Sequence, residues 1–305
     1  MLMREKKVKM LAETRGDKIF DIFINVIMGF ILLIYIYPLI FIISASVSDP
    51  NTVLRGEMWL FPKGFTLMGY KHILQYKEIW TGYLNTIKIV LLGVPIAMSL
   101  TISAGYVLSR KEFKLRNLYM GIFVFTMFFN GGLIPTYLVI KQLNMLDTIW
   151  ALILPNAITM YYVIIVRTYY NTNIPEELHE AGVIDGCSDI RFLTSVALPL
   201  AKPITAVMAL FYMVDRWNMY FRPLIYLSDR KLYPLQLILR EIVASSNMTP
   251  EMLEGFEPSE YAIMVQISNL MKYGVLIVAS LPVLLIYPFV QKYFVQGIMI
   301  GALKG

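Results

Sequence analysis

Apolar residues fill five stretches of the chain almost without interruption: 19–44, 84–108, 118–140, 148–166 and 273–295. Each is close to the length of about 20 residues that a helix needs to cross the hydrocarbon core of a bilayer. Asp21 and Lys88 fall near span ends, where long side chains can reach back toward water. A sixth stretch is broken. Residues 203–214 are apolar, Asp215, Arg216, Trp217 and Asn218 follow, and apolar character returns at 224–227. Its limits are the least defined of the six, and it can begin before Pro203. Six membrane-crossing helices are therefore predicted. After the fifth, residues 233–243 (YPLQLILREIV) have the spacing of a short amphipathic helix lying at a membrane surface. Residues 244–260 (ASSNMTPEMLEGFEPSE) form an acidic polar connector bounded by turn formers.

The cationic residues orient this pattern. Arg4, Lys6, Lys7, Lys9, Arg15 and Lys18 precede the first span, and Arg110, Lys111, Lys114 and Arg116 follow the second. Lys and Arg collect on the cytoplasmic side of spans, so both segments belong inside. Alternation then places the stretches near 46–83, 141–147 and 228–272 outside, and 167–202 together with both termini inside. The first apolar run is longer than the 7–15 residues of a signal-peptide core, which predicts an uncleaved first helix. The chain then divides into a cytoplasmic segment 1–18, a membrane domain 19–295 with an inner loop 171–202 and an outer loop 228–272, and a cytoplasmic tail 296–305.

Composition agrees with lipid as the solvent. Charged residues make up 16% of the 305 residues, against about a quarter in soluble domains. The net charge of +6 reads as membrane topology and not as nucleic-acid binding, because it is gathered at span ends. A single cysteine, Cys187, excludes an internal disulfide. With only His72 and His179 beside it, the chain lacks the four Cys and His ligands of a structural zinc site. The 19 methionines read as adaptable apolar packing.

The inner loop carries the most specific pattern: EAGVIDGCSDIRFLTSVALPLAKP, residues 180–203. Pro175 suits the first turn of a helix, and Glu176 and Glu177 suit the positive end of its dipole. An apolar series of Leu178, Ala181 and Ile184 stops at Gly186, a residue type favoured just past a helix end. Ser188 can cap a second helix over 189–196, closed by Leu198 and Pro199. Small residues at Ala181, Gly182, Gly186 and Cys187 would let a partner protein approach closely. His179 is expected to be a solvent-exposed loop histidine.

The order Glu180-Ala181-Gly182, Gly186, Val196 and Leu198-Pro199 resembles the EAA loop of ABC importer permeases, with Gly for the second Ala and Val for Ile. Ile184-Asp185-Gly186, Lys202-Pro203 and Trp217-Asn218 are similar to the carbohydrate branch of that family. The end, VQGIMIGALKG, is similar to the MalG-like subunits, and NGGLIPTY at 130–137 to the LplC and YtcP type. The resemblance implies an all-α integral membrane protein with the six-helix permease fold of type I importers (MalG/MetI-like). It implies a bacterial plasma-membrane location and a heterodimer with a second, homologous permease. Two copies of an ABC ATPase subunit would bind the EAA loop and carry ATP and Mg, leaving this chain without cofactor, metal or catalytic residues. An extracellular sugar-binding lipoprotein would deliver a sugar or oligosaccharide. Glu180, Ala181, Gly182, Asp185, Gly186, Leu198 and Pro199 are then the expected ATPase-coupling residues. Asn247, Met248, Glu251 and Glu254 are the expected contacts to the binding protein.

Ionisable residues inside a span are costly and often functional, so Asp215 and Arg216 are candidates for a pathway or gate, though they could simply pair with each other. Tyr161, Tyr162, Trp217, Asn218 and Tyr220 are candidates for contact with sugar, whose C–H faces suit aromatic rings; belts of Tyr and Trp at lipid interfaces are the ordinary alternative. Asn130, with Gly131 and Gly132, is expected to break the third span and is a further pathway candidate. A stand-alone secondary transporter or channel would instead predict paired repeats and ionisable residues buried in several spans, and only the interrupted span offers such a pair. No P-loop, H-E-x-x-H or G-x-S-x-G stands in the chain, which argues against an ATPase or a membrane-embedded hydrolase.

Overall fold

The computed structural model describes residues 15–245 and 258–302, and all regular structure among them is helical. Helix α1 (Arg15–Ser46) leads into two short helices, α2 (Pro50–Leu54) and α3 (Met68–Gln75), followed by the long α4 (Lys77–Ser109). Next come α5 (Arg116–Phe128), α6 (Leu133–Gln142), α7 (Trp150–Ile153) and α8 (Met160–Asn173). A hairpin of α9 (Glu176–Ile184) and α10 (Asp189–Leu200) precedes α11 (Lys202–Trp217). The chain then forms α12 (Phe221–Tyr226), α13 (Leu235–Ser245) and α14 (Pro258–Ala302).

Length and composition suit three of these helical segments for crossing a membrane: Arg15–Ser46, Lys77–Ser109 and Ile267–Phe289. Two bent pairs reach the same length together, α5 with α6 at 110° and α10 with α11 at 86°. The first bend falls at residues 129–132, as the Asn-Gly-Gly triplet predicts. Gly132 has φ +84°, and its N–H donates to Asn130 Oδ1 at 2.9 Å. The stretch 148–166 departs from the expected single span. It breaks at 154–159, where Pro155 has no N–H to continue the ladder. The N–H of Thr159, freed by the break, donates to Tyr212 Oη at 3.0 Å, and the same hydroxyl lies 2.6 Å from Thr101 Oγ1. α8 alone spans only ~21 Å at 1.5 Å per residue.

α4 is the central helix, and three glycines set its neighbours. A Cβ on Gly82 would lie 2.6 Å from Ile238 on α13, and one on Gly105 would lie 2.6 Å from Val166 on α8. A Cβ on Gly93 would collide with the Arg216 side chain on α11. Small residues at helix crossings let backbones approach where lipid supplies no hydrophobic drive. α13 was expected to lie flat at a membrane surface. Its apolar face, Leu235, Ile238, Leu239 and Ile242, is instead buried against α4 and α14. Thr86 Oγ1 accepts the Leu235 N–H at 2.9 Å, satisfying one of the open donors at that helix start.

The expected outer loop 228–272 is accordingly shorter. Residues 235–245 are packed helix, and the last helix begins at Pro258 and continues through Ala302, into the stretch expected to be a tail. α1 lies along α14, with Phe41 edge-on to Tyr273 at 6.0 Å. α3 also docks on α14. A Cβ on Gly69 would strike the Leu270 carbonyl oxygen, a backbone atom that cannot rotate aside. Gly69→Ala is therefore expected to cost about 1–3 kcal/mol of overpacking and to lower the thermal midpoint of the purified protein. An unchanged midpoint would show that α3 does not dock on α14.

The loops sort to the two ends of α4. At the Lys77 end, Arg230 bridges Glu78 and Glu241 at 2.9 Å each, and Asp147 Oδ1 accepts the N–H groups of Ser228 and Asp229. Those two N–H groups hold the Asp147 carboxyl below the usual carboxylate range. At the Ser109 end sit the cationic loop 110–116 and the α9–α10 hairpin. The segments expected on one side of a membrane are thus together in space.

Candidate functional site

The hairpin is anchored to the cationic loop by three contacts, Lys111 to Glu176, Arg110 to Phe192 and Glu112 to His179. Lys111 pairs with Glu176 in the first turn of α9, and that hydrogen bond and charge raise the lysine pKa. Arg110 lies over the Tyr106 and Phe192 rings at 4.7 and 5.7 Å. His179 completes the attachment. It is 5% exposed, with Nδ1 3.4 Å from Glu112 Oε1, Nε2 3.3 Å from Asp189 Oδ1, and its ring edge-on to Phe192 at 4.9 Å. The exposed loop histidine expected from the sequence is thus a buried tether, because the α9 face that carries it turns onto α10 and Glu112.

The hairpin turn follows the sequence closely. Gly186 has φ +73°, its N–H donates to Val183 O at 3.0 Å, and the Cys187 N–H donates to Gly182 O at 2.9 Å. These are the two bonds of a Schellman motif. Ser188 Oγ accepts from the Arg191 N–H at 3.4 Å and caps α10. α10 runs past the expected end at 196. Residues Leu193–Ala197 form a π-helical turn, with the Leu198 N–H donating to Leu193 O, and the helix ends only at Leu200. The wider turn gives room for the Pro199 ring, which would otherwise meet the carbonyl four residues back. Ala201, fully buried, then forms the 86° elbow into α11.

Two of the four small residues have a different task from the one expected. A Cβ on Gly182 would lie 3.0 Å from the Phe192 ring and 3.9 Å from Cys187, so Gly182 and Cys187 close the hairpin on itself. Ala181 and Gly186 are exposed, as are Glu180 and Asp185, while Leu198 is half-buried and Pro199 exposed. The series Leu178, Ala181, Ile184 is an outward face and not a core face. Ile184 is 85% exposed, Ile190 77% and Val183 56%. Ile184 was read in the sequence only as part of the helix pattern, and Val183 and Ile190 escaped notice; their signal is apolar side chains flanking a glycine turn in a charged loop. Glu180, Val183 and Ile184 line a cavity of about 830 Å³ whose other wall includes Tyr106, Arg110 and Phe113. An acidic rim beside exposed isoleucines suits a protein surface that brings both apolar and basic groups.

The candidates on and around α11 separate into exposed and buried sets. Asp215 is exposed and pairs with Arg222 at 3.9 Å, not with Arg216. Arg216 is 2% exposed, its guanidinium 5.1 Å from the centre of the Tyr212 ring and its Nε without a hydrogen-bond partner. Trp217 donates from Nε1 to Ala279 O at 3.0 Å and packs on Tyr83 inside the bundle, which removes it from the candidates for sugar contact. Tyr161 is exposed, and Tyr162 is half-buried against Tyr212 and Phe211. Asn218 accepts from Gln236 at 3.4 Å, and Tyr220, also exposed, lies under Arg240 at 4.9 Å. Asn130 is exposed at the α5–α6 bend. Asn247, Met248, Glu251 and Glu254 lie outside the described residues.

Known proteins resemble the chain over most of its length. The family described as "Binding-protein-dependent transport system inner membrane component" matches residues 93–300. Protein LplC of Bacillus subtilis is 36% identical over 98% of this chain and 99% of its own length. The polygalacturonan/rhamnogalacturonan transport system permease protein YtcP of the same organism is 38% identical over 95% of this chain and 99% of its own. Among solved structures, the chain superposes with a TM-score of 0.82, at 30% identity, on a chain of a bacterial ABC transporter involved in the import of the acidic polysaccharide alginate. That match covers 93% of this chain and 100% of the other.

Proposed function

The chain belongs to the family of binding-protein-dependent transport system inner membrane components, and on that premise we propose that it carries a carbohydrate, an oligosaccharide, across the bacterial plasma membrane. It is a membrane-embedded permease subunit of an ABC importer, working with an ATPase and a substrate-binding protein, and not itself an enzyme. This family membership sets aside a stand-alone transporter or channel. The carbohydrate reading is supported by the names of the relatives, YtcP and the alginate importer among them.

The observation that carries the coupling role is the α9–α10 hairpin. It is bound to the cationic loop at one end of α4 and presents Glu180, Ala181, Asp185, Gly186, Ile184 and Ile190 outward. In the proposed assembly two ATPase subunits, holding ATP and Mg, seat on such hairpins. One belongs to this chain and one to a similar permease partner, and both termini of this chain lie in the cytoplasm. Asp215, Arg216, Asn218, Tyr220, Tyr161, Tyr162 and Asn130 remain the pathway candidates, and a binding lipoprotein contacts residues 247–254.

Binding-protein-dependent uptake of radiolabelled oligosaccharides by the reconstituted complex tests the substrate class. No uptake of any oligosaccharide, with uptake of a non-carbohydrate solute instead, would reject it. Deleting residues 247–254 is expected to weaken the stimulation of ATP hydrolysis by loaded binding protein while basal hydrolysis and assembly persist. Full stimulation after the deletion would remove that segment from the docking site.

A further inference from the structure

A second cavity, about 590 Å³, opens beside the hairpin at the level where the apolar run of α4 ends, and Arg110, Lys111, Arg116, Arg167, Tyr170 and Glu176 are on its walls. Four cations face one carboxylate there. Glu176 is taken by Lys111, and among the described residues no carboxylate lies within ion-pair distance of Arg110, Arg116 or Arg167. Arg167 is fixed in place by donating from Nε to Leu108 O at 3.0 Å, so its remaining donors are held at the wall. The Tyr170 hydroxyl is a second, independent observation. Tyr170 is 1% exposed and its oxygen has no hydrogen-bond partner, and the buried Arg110 Nε has none either. Buried polar groups without a partner are rare in folded chains, and each calls for a polar partner.

We propose that this cavity binds the phosphate group of an anionic lipid headgroup. A phosphate diester offers several acceptor oxygens and one negative charge, which suits a fork of guanidinium groups and a tyrosine hydroxyl. The site's position, where the hydrophobic length of α4 gives way to the cationic loop, is the depth of lipid phosphates. Because Lys111, Arg110 and Glu176 also anchor the hairpin, lipid in the cavity would bear on its attachment to the bundle.

The test uses the purified permease–ATPase complex, reconstituted in a mixture of phosphatidylcholine and phosphatidylglycerol, re-extracted, and analysed for retained lipid by mass spectrometry. Arg116→Gln is expected to retain about fivefold less phosphatidylglycerol, the factor that corresponds to about 1 kcal/mol for one basic residue near an anionic surface. Arg167→Gln should do the same, although it also removes the bond to Leu108, and Arg116→Gln keeps the test independent of that bond. Lys114→Gln, a charge in the same loop that does not line the cavity, should retain lipid as the parent does. Equal retention by the parent and Arg116→Gln overturns the proposal, and so does an equal loss in Lys114→Gln, which would mark diffuse surface charge. Thermal stabilisation by inorganic phosphate that Arg116→Gln abolishes, without selective lipid retention, assigns the cavity to free phosphate and overturns the lipid source. Retention does not require transport, so this result stands apart from the importer reading.

Discussion

Gly186→Val is expected to leave the permease inserted and paired with its membrane partner while abolishing ATPase copurification or substrate-stimulated hydrolysis. The glycine holds φ +73° at the hairpin turn, and a Cβ built on it would meet nothing within 4 Å among the described residues. The internal cost is therefore the backbone term alone, about 1–2 kcal/mol for an L side chain in the left-handed region, somewhat more for a β-branched one. That is too little to unfold a chain with this much buried contact. Strain there weakens the Schellman bonds to Val183 and Gly182, and the added methyl groups stand on the exposed surface between Ile184 and Ile190. Glu180→Ala should be milder. It removes one charge-assisted contact, on the order of 1.5–3 kcal/mol if hydrogen-bonded and less if solvated. Purified complexes assayed for bound ATPase and for stimulated hydrolysis per permease decide the matter. Normal stimulated hydrolysis in Gly186→Val would sink the coupling assignment, and a fall in inserted permease matching the fall in activity would reduce the hairpin to a folding element.

Gly93→Ala is expected to be the more damaging change to stability. The added methyl would collide with Arg216 Nε and stand 3.0 Å from its Cδ, at a site where the guanidinium is boxed in by the Tyr212 ring and 2% exposed. Overpacking of this kind costs about 1–3 kcal/mol, and the arginine cannot swing away without leaving the Tyr212 ring. Arg216→Met alone should cost little, because among the described residues no carboxylate within ion-pair distance is left behind when the charge goes, and apolar replacement of buried charge is often neutral. The two changes share one space, so their effects should not add. The double variant should recover most of the midpoint lost by Gly93→Ala. Strict additivity of the thermal midpoints would show that the α4–α11 contact is not as described. If the double variant is stable yet transports poorly, Arg216 has the gating role its place in a span suggested.

The parts of this fold legible in the sequence were those governed by local chemistry. The positive φ at Gly186, the Ser188 cap and the break at 129–132 all follow from residue types acting within a few positions of themselves. Long apolar runs gave α1, α4 and the core of α14 directly. What escaped was what one helix does to another. Nothing near His179 in sequence announces Glu112, which lies in another loop. The outward turn of Ile184 depends on α9 burying its opposite face. Arg216 and Trp217 point inward and Asp215 outward because of where α4 and α14 stand, and adjacent charges in a sequence do not disclose that. The amphipathic stripe of α13 was visible, but an apolar face is equally suited to lipid and to other helices, and the choice fell to Thr86, Gly82 and the neighbouring helix backbones.

The elbow at Ala201 has a mechanical consequence. Ala201 is fully buried between the exposed Leu200 and Lys202, so the 86° corner where α10 meets α11 is seated in the bundle at that one residue. The outer arm, the twelve residues of α10, is ~18 Å long at 1.5 Å per residue. Such a part is a bell crank: a sideways push at the Gly186 tip becomes a tilt of α11, with ~0.3 Å of travel at the tip for each degree turned at the arm length just given. The π-helical turn sits on that arm next to the corner, where a shaft carrying load would be thickest.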